Sequence, residues 1–122
     1  MKAKHLETGR KGEALAVLFL KKQGYRIKEV NYRTPLGEID VVAVQKGIIC
    51  FIEVKTRRSL IFGRPEEAVG RVKQRKLTQL AEYYMKERRL LDAPARFDVL
   101  SIILDGGGKP HFSLFQGAFE KS

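Results

Sequence analysis

Two neighbouring β-branched segments carry ionisable residues at alternating positions: Glu38, Asp40, Glu53 and Lys55. The segments, 38–44 and 48–55, are joined through Gln45-Lys46-Gly47, which predicts a β-hairpin. If Lys46 and Gly47 form the loop, position 40 faces 53 and position 38 faces 55, so all four side chains project from one face. A bulged loop would shift this register by one residue.

This arrangement suits the binding of a cation. Two carboxylates held opposite each other repel, which raises the pKa of at least one unless a cation lies between them. Mg²⁺ prefers oxygen ligands and keeps several waters, so Asp40 and Glu53 are candidate metal ligands. The Lys55 ammonium would hold a scissile phosphate or orient the attacking water. A cross-strand ionic cluster, with Lys55 paired to Glu38 or Glu53, is the structural alternative; because unpaired charge is costly in an apolar hairpin, the functional interpretation is favoured.

A third carboxylate, Glu13, interrupts the apolar face of a predicted first helix. This helix runs from about residue 5 to 23 and ends before Gly24, because glycine is favoured just beyond a helix C-terminus. Its buried face, read at helical spacing, contains Leu6, Glu13, Ala16, Val17 and Leu20. Gly12 precedes Glu13 and would let another backbone or a ligand approach closely.

The remaining patterns predict an α/β fold with a mixed central sheet. A half-exposed strand at 25–33 and a turn at 34–37 precede the hairpin, and a basic loop at 56–64 follows it. Pro65 opens a second helix that ends near Leu90. Its apolar side comprises Val69, Val72, Leu77, Leu80, Ala81 and Tyr84. Strands at 95–104 and 110–115 complete the order α-β-β-β-α-β(-β), with helices on both faces of the sheet and residues 1–122 in one domain.

The charge balance points to a polyanionic partner. Lys and Arg number 24 against 14 Asp and Glu, a net charge of +10, and each neutralised phosphate releases condensed counterions. Nucleic acid is therefore favoured over a basic protein kept in solution by its charge or one drawn to an anionic membrane surface. We find no signal peptide and no apolar run that could span a bilayer. The single Cys50 excludes an intramolecular disulfide, so we expect a cytoplasmic location.

Five basic residues are candidates for contacts with a nucleic-acid backbone: Arg33, Arg57, Arg58, Arg64 and Lys73. For each arginine taken singly, a solvated surface charge is the favoured interpretation. Lys73 lies on the apolar stripe of the second helix, so it either reaches inward toward the site or extends to solvent. Tyr25 and Tyr32 are assigned to packing rather than base stacking, and Asp98 to pairing with an arginine, without a chemical role.

These residues lie within motifs that resemble the YraN-type family of bacterial proteins. The motifs are Gly9-Arg-Lys-Gly12-Glu13, Asn31-Tyr-Arg33, Gly37-Glu38-Ile39-Asp40, Phe51-Ile-Glu53-Val-Lys55-Thr-Arg57 and Gly63-Arg-Pro65-Glu-Glu-Ala-Val69. The resemblance extends to about Ile103. That family is similar to archaeal Holliday-junction resolvases in the PD-(D/E)xK superfamily, which implies a restriction-endonuclease-like fold.

The resemblance also implies residue roles. In the superfamily pattern a helical Glu, a strand Asp and a Glu-x-Lys pair form the active site, and they match Glu13, Asp40, Glu53 and Lys55. The backbone carbonyl of Val54 is then expected as a further metal ligand. Ile39 stands where the superfamily has proline, which removes no ligand. The likeness to dimeric resolvases implies a homodimer.

Three functional hypotheses follow. The first is a Mg²⁺- or Mn²⁺-dependent endonuclease that cleaves DNA, with branched or otherwise structured DNA as the substrate, because 122 residues leave little room for a base-reading module. The second is a nucleic-acid-binding module that keeps the nuclease fold without turnover. The third is a basic structural protein that binds an acidic protein partner.

Overall fold

Two helices and five strands lie in the residues that the computed structural model describes, which are 2–58, 69–104 and 109–120, with the backbone alone over 2–10. In chain order they are α1 (Lys2–Lys22), β1 (Arg26–Thr34), β2 (Gly37–Gln45), β3 (Ile48–Arg57), α2 (Arg71–Glu87), β4 (Ala95–Ile103) and β5 (His111–Phe119). The predicted order α-β-β-β-α-β-β is confirmed. No helix in these ranges has the length and apolar character needed to cross a membrane.

The strands form one mixed sheet in the order β1-β2-β3-β4-β5. Only the β3–β4 pair is parallel, because the chain crosses over through α2 between them. The β2–β3 hairpin turns through Lys46 and Gly47, whose φ angles of 51° and 79° are the positive values that a type I′ turn requires. Val41 therefore pairs with Ile52, the register that a two-residue loop predicts.

Each face of the sheet is covered by one helix, as the continuously apolar hairpin predicts. The α1-side cluster contains Ala16, Leu20, Tyr25, Val41, Ala43, Cys50, Ile52, Leu100 and Ile102. The α2-side cluster contains Ile39, Val42, Ile49, Phe51, Val69, Leu77, Leu80, Ala81, Tyr84, Met85, Phe97 and Val99. Burial of apolar side chains on both faces is the main contribution to stability, and it fixes which strand residues look toward which helix.

Helix α2 differs from the sequence prediction at its start. It begins at Arg71 after an extended Gly70, and Val69 is not helical, so a continuous helix from Pro65 is wrong; Pro65 itself lies outside the described residues. Val72 is 81% exposed rather than buried. Since a helix turns by about 100° per residue, Val72 lies about 140° around the axis from Leu77, away from the apolar stripe.

Candidate active site

The β2–β3 ladder stops at the candidate carboxylates. Pairing between these strands ends at Val41 with Ile52, one position before Asp40 and Glu53. There the Val54 N–H donates to Asp40 Oδ2 over 2.8 Å. A side-chain carboxylate thus takes the place of a backbone carbonyl, which directs Asp40 toward β3 at the point where the two strands separate.

Strands β1 and β2 are both irregular at this point. Ile39 packs in the α2-side cluster and Val41 in the α1-side cluster, although regular alternation would put them on one face. Pairing of β1 with β2 leaves Asn31 opposite Asp40, and Asn31 adopts a φ of 53°. The regular alternation of side chains between the two faces of β2 is therefore interrupted at Asp40. Asn31, with its left-handed backbone, lies directly opposite.

Asp40 has an unusual ionisation. Burial raises its pKa to about 7, with a further increase from the negative charge of Glu53 and a smaller one from Glu38. The Val54 N–H and the Lys73 ammonium act in the opposite direction. The negative charge of Glu53 thus contributes to the raised pKa of Asp40, and a cation bound between the two carboxylates would offset that effect.

Glu53 is compensated by two lysines. It is 6% exposed, and its Oε1 lies 3.4 Å from the Lys55 Nζ and 3.5 Å from the Lys73 Nζ. Lys73 reaches inward from α2, which decides between the two orientations left open by the sequence. The lysine side chains keep 29% and 44% exposure respectively, so both ammoniums can meet a solvent-borne anion.

Glu13, on α1, contacts Asn31 of β1 rather than either of the two acids. The Asn31 Nδ2 donates to Glu13 Oε2 over 3.0 Å. Helix α1 comes close to β3 because Gly12 has no side chain; a Cβ there would overlap the Thr56 Oγ1. Glu13 is thereby held next to the strand that carries Glu53 and Lys55, with Asn31 as its hydrogen-bond partner among the described residues.

The other predicted residues are spread around the site. Glu38 pairs with Arg33 over 3.4 Å at the surface, and Arg33 is largely exposed. Arg57 is half-buried at the end of β3, and Arg58 is exposed just beyond it. Arg64 lies outside the described residues.

The residues at the site supply some, but not all, of the ligands that a divalent cation needs. Within the described ranges no group of three or more His, Cys, Asp or Glu side chains could hold a metal. Mg²⁺, however, is commonly bound through one or two carboxylates while it keeps several waters. Asp40 and Glu53 supply two carboxylates. The Val54 carbonyl adds a third oxygen, because in an extended strand the C=O of a residue points to the same side as its N–H, which here faces Asp40.

Two residues that the sequence prediction did not select lie next to predicted site residues. Asn31 lies opposite Asp40, and Ser101 pairs with Lys55 across the β3–β4 ladder. The Asn31 Oδ1 and the Ser101 Oγ are buried and lack a hydrogen-bond partner among the described residues. An asparagine inside a strand is disfavoured, and that mismatch was the available sequence signal for Asn31.

A second polar network lies at the other end of the hairpin and has a structural role. The Tyr25 hydroxyl donates to Asp98 Oδ2 over 2.8 Å, and Arg96 Nε donates to Asp98 Oδ1 over 2.9 Å. The Gly117 N–H also donates to Asp98, where β5 bulges against β4. Burial raises the pKa of Tyr25 to about 12. Asp98 therefore pairs with an arginine, and Tyr25 packs in the core.

The chain is similar to a large set of bacterial proteins. The model of "Uncharacterised protein family UPF0102" matches residues 12–102, a span that contains Glu13, Asp40, Glu53 and Lys55. A UPF0102 protein of Syntrophotalea carbinolica is 43% identical over 98% of this chain and 97% of its own length. Those of Dictyoglomus thermophilum and Moorella thermoacetica are 47% and 52% identical, over 84% and 80% of this chain and 87% and 81% of their own.

Proposed function

The chain belongs to the family described as uncharacterised protein family UPF0102, and we propose that it is a metal-dependent endonuclease that hydrolyses DNA phosphodiester bonds. One observation carries the proposal: Asp40 and Glu53 converge where β2 and β3 stop pairing, with two lysine ammoniums against Glu53. Buried acids of this kind, in contact with two partly exposed lysines, favour a chemical role over a structural one.

The residues divide the work of hydrolysis between them. Asp40, Glu53 and the Val54 carbonyl would hold Mg²⁺ or Mn²⁺, which when bound lowers the pKa of a coordinated water and offsets charge on the phosphate. Lys55 orients the attacking water or stabilises the charge that develops on the phosphoryl oxygens. In the reaction the water oxygen bonds to phosphorus as one P–O ester bond breaks; the water loses a proton and the leaving oxygen gains one.

The basic surplus supports nucleic acid as the substrate. The net charge of +10 favours association with phosphates independently of sequence. The site is built on the central strands, and contacts to the phosphate backbone carry no base-sequence information. We therefore propose recognition by shape, with branched or structured DNA as the first substrate to examine. Of the predicted backbone contacts, Arg33, Arg57, Arg58 and Lys73 lie in the described residues.

A cleavage assay with matched variants tests the proposal. Purified protein is incubated with branched, duplex and single-stranded DNA in the presence and absence of Mn²⁺. We expect Mn²⁺-dependent cleavage by the parent and by Asp92→Asn, which removes an exposed carboxylate away from the site, and a loss of cleavage in Asp40→Asn. The nuclease proposal is wrong if no DNA is cut, or if Asp40→Asn cuts as well as the parent.

A binding module without turnover is the second candidate, and one observation favours it. Glu53 is already neutralised by Lys55 and Lys73, and the described residues offer no third side-chain ligand. This candidate predicts DNA binding that needs no metal and survives Asp40→Asn. The homodimer implied by the resemblance stays a prediction, which sedimentation of the free protein tests.

A further inference from the structure

Asn31 combines three features that regular strand structure does not explain. Its φ of 53° lies in the left-handed region, which non-glycine residues seldom adopt and asparagine tolerates best. It lies opposite Asp40 in the β1–β2 pair. Its Oδ1 is buried without a partner among the described residues. A strand gains nothing from any of these features.

The orientation of the Asn31 amide follows from its neighbour. Its Nδ2 donates to the Glu13 carboxylate over 3.0 Å. Exchange of the amide oxygen and nitrogen would put an acceptor against a carboxylate, which can only accept when ionised. The Asn31 Oδ1 therefore does not bond to Glu13. It remains as a second hydrogen-bond acceptor, next to the Nδ2 that binds the Glu13 carboxylate.

Two adjacent acceptors are suited to a ligand that only donates. Glu13 and the Asn31 Oδ1 supply acceptors at the β1 position opposite Asp40, while Lys55 and Lys73 supply donors against Glu53. A water of a hydrated divalent cation donates two hydrogen bonds and matches the acceptor side. Such outer contacts orient a metal site and tune its affinity.

We propose that Asn31 is a positioning residue of the candidate site: its amide N–H fixes Glu13, and its carbonyl oxygen accepts a hydrogen bond from a water of the cation that Asp40 and Glu53 hold. This inference rests on the proposed function. It assigns the left-handed backbone of β1 a purpose, because that conformation turns the Asn31 side chain toward α1 and Glu13.

Binding of Mn²⁺ alone, measured by electron paramagnetic resonance of the free ion, tests the inference. Asn31→Gly keeps the left-handed backbone, which glycine adopts freely, and removes the amide. We expect it to bind Mn²⁺ about 10-fold or more weakly, with a thermal midpoint in the absence of metal close to that of the parent. Arg89→Gly is the control, because Arg89 has a similar φ of 57° outside the site; it should bind Mn²⁺ as the parent does.

A double variant separates a joint role from two independent ones. If Asn31 acts through Glu13, then Glu13→Ala weakens Mn²⁺ binding, and Asn31→Gly combined with Glu13→Ala loses little more than either change alone. Parent-like Mn²⁺ affinity in a folded Asn31→Gly, or full additivity in the double variant, would overturn the inference and leave the nuclease proposal intact. A parent that binds no Mn²⁺ overturns the metal-dependent proposal and this inference together.

Discussion

Asp40 shows how a single residue can lower the stability of the fold that carries it. Its carboxyl is placed beside Glu53 in a largely buried position, which raises its pKa to about 7. The unfolded chain holds the same group at its ordinary, lower pKa. Between these two values the folded protein binds the proton more tightly, so the contribution of Asp40 is fully present at low pH and is lost as the pH rises through about 7.

Asp40→Asn should therefore stabilise the metal-free protein at alkaline pH. The Asn side-chain oxygen can still accept from the Val54 N–H, but it carries no charge to repel Glu53. We expect a gain of about 1–3 kcal/mol at pH 8 and a much smaller one at pH 4, measured by urea denaturation. An Asp40→Asn protein that is less stable than the parent at pH 8 would contradict the assigned cause of the pKa shift.

Lys73 is the residue whose position the sequence left undecided. Its ammonium lies 3.5 Å from Glu53 Oε1, so Lys73→Met, which keeps the apolar stem, removes one of two cations at the site. We expect single-turnover cleavage to slow on the order of 10²-fold. Lys86→Met is the control, because Lys86 lies at the far end of α2, and it should leave the rate unchanged. If both changes slow cleavage equally, Lys73 acts only as one of the surface charges and not at the site.

At the scale of elements, the site depends on the close approach of α1 to β3. Gly12 permits this approach, since a Cβ at that position would overlap Thr56. Alanine normally stabilises a helix by roughly 1 kcal/mol relative to glycine. Here the steric overlap outweighs that gain, because the helix would have to move away from the strand and carry Glu13 with it.

Gly12→Ala is accordingly expected to destabilise the protein by about 1–3 kcal/mol, measured by thermal or urea denaturation. The double variant with Thr56→Ala should recover part of the loss, because the overlapping hydroxyl is gone. Gly70→Ala serves as the control: nothing lies within 4 Å of a Cβ there. If Gly12→Ala is as stable as Gly70→Ala, the described packing of α1 on β3 is incorrect.

The elements were largely predictable from the sequence, and the reasons are physical. The hairpin register follows from a two-residue loop with Lys46 and Gly47 at positive φ, and the two-sided burial follows from continuously apolar strands. The predicted start of α2 was wrong. Proline followed by two acids is a favourable first turn of a helix, but this local preference does not reveal that Gly70 is extended and that the helix begins after it.

The fine geometry of the site was not predictable in the same way. Period-two alternation cannot reveal its own interruption at Asp40, nor the left-handed Asn31 across from it. The contact of Lys73 with Glu53 depends on how α2 lies over the sheet, which is a tertiary property. The acids themselves were identified because charge within an apolar hairpin conflicts with burial.

At the scale of the whole molecule, the net charge of +10 should control affinity for DNA. We expect the dissociation constant for duplex DNA to rise by roughly 10³-fold or more between about 50 and 200 mM salt, as six or more phosphate contacts would produce. Asp40→Asn should bind at least as tightly as the parent, since it removes a negative charge. Fluorescence anisotropy measures both; affinity that does not respond to salt would exclude a phosphate-dominated interface.

The most direct test of the account is the location of Mn²⁺ by anomalous scattering in crystals soaked near pH 8. We predict a peak within about 2.0–2.3 Å of carboxylate oxygens from both Asp40 and Glu53, with Lys55 and Lys73 displaced from Glu53 Oε1. A crystal that shows no Mn²⁺ between these two acids, with both ammoniums still in contact with Glu53, would contradict the proposed metal-dependent chemistry.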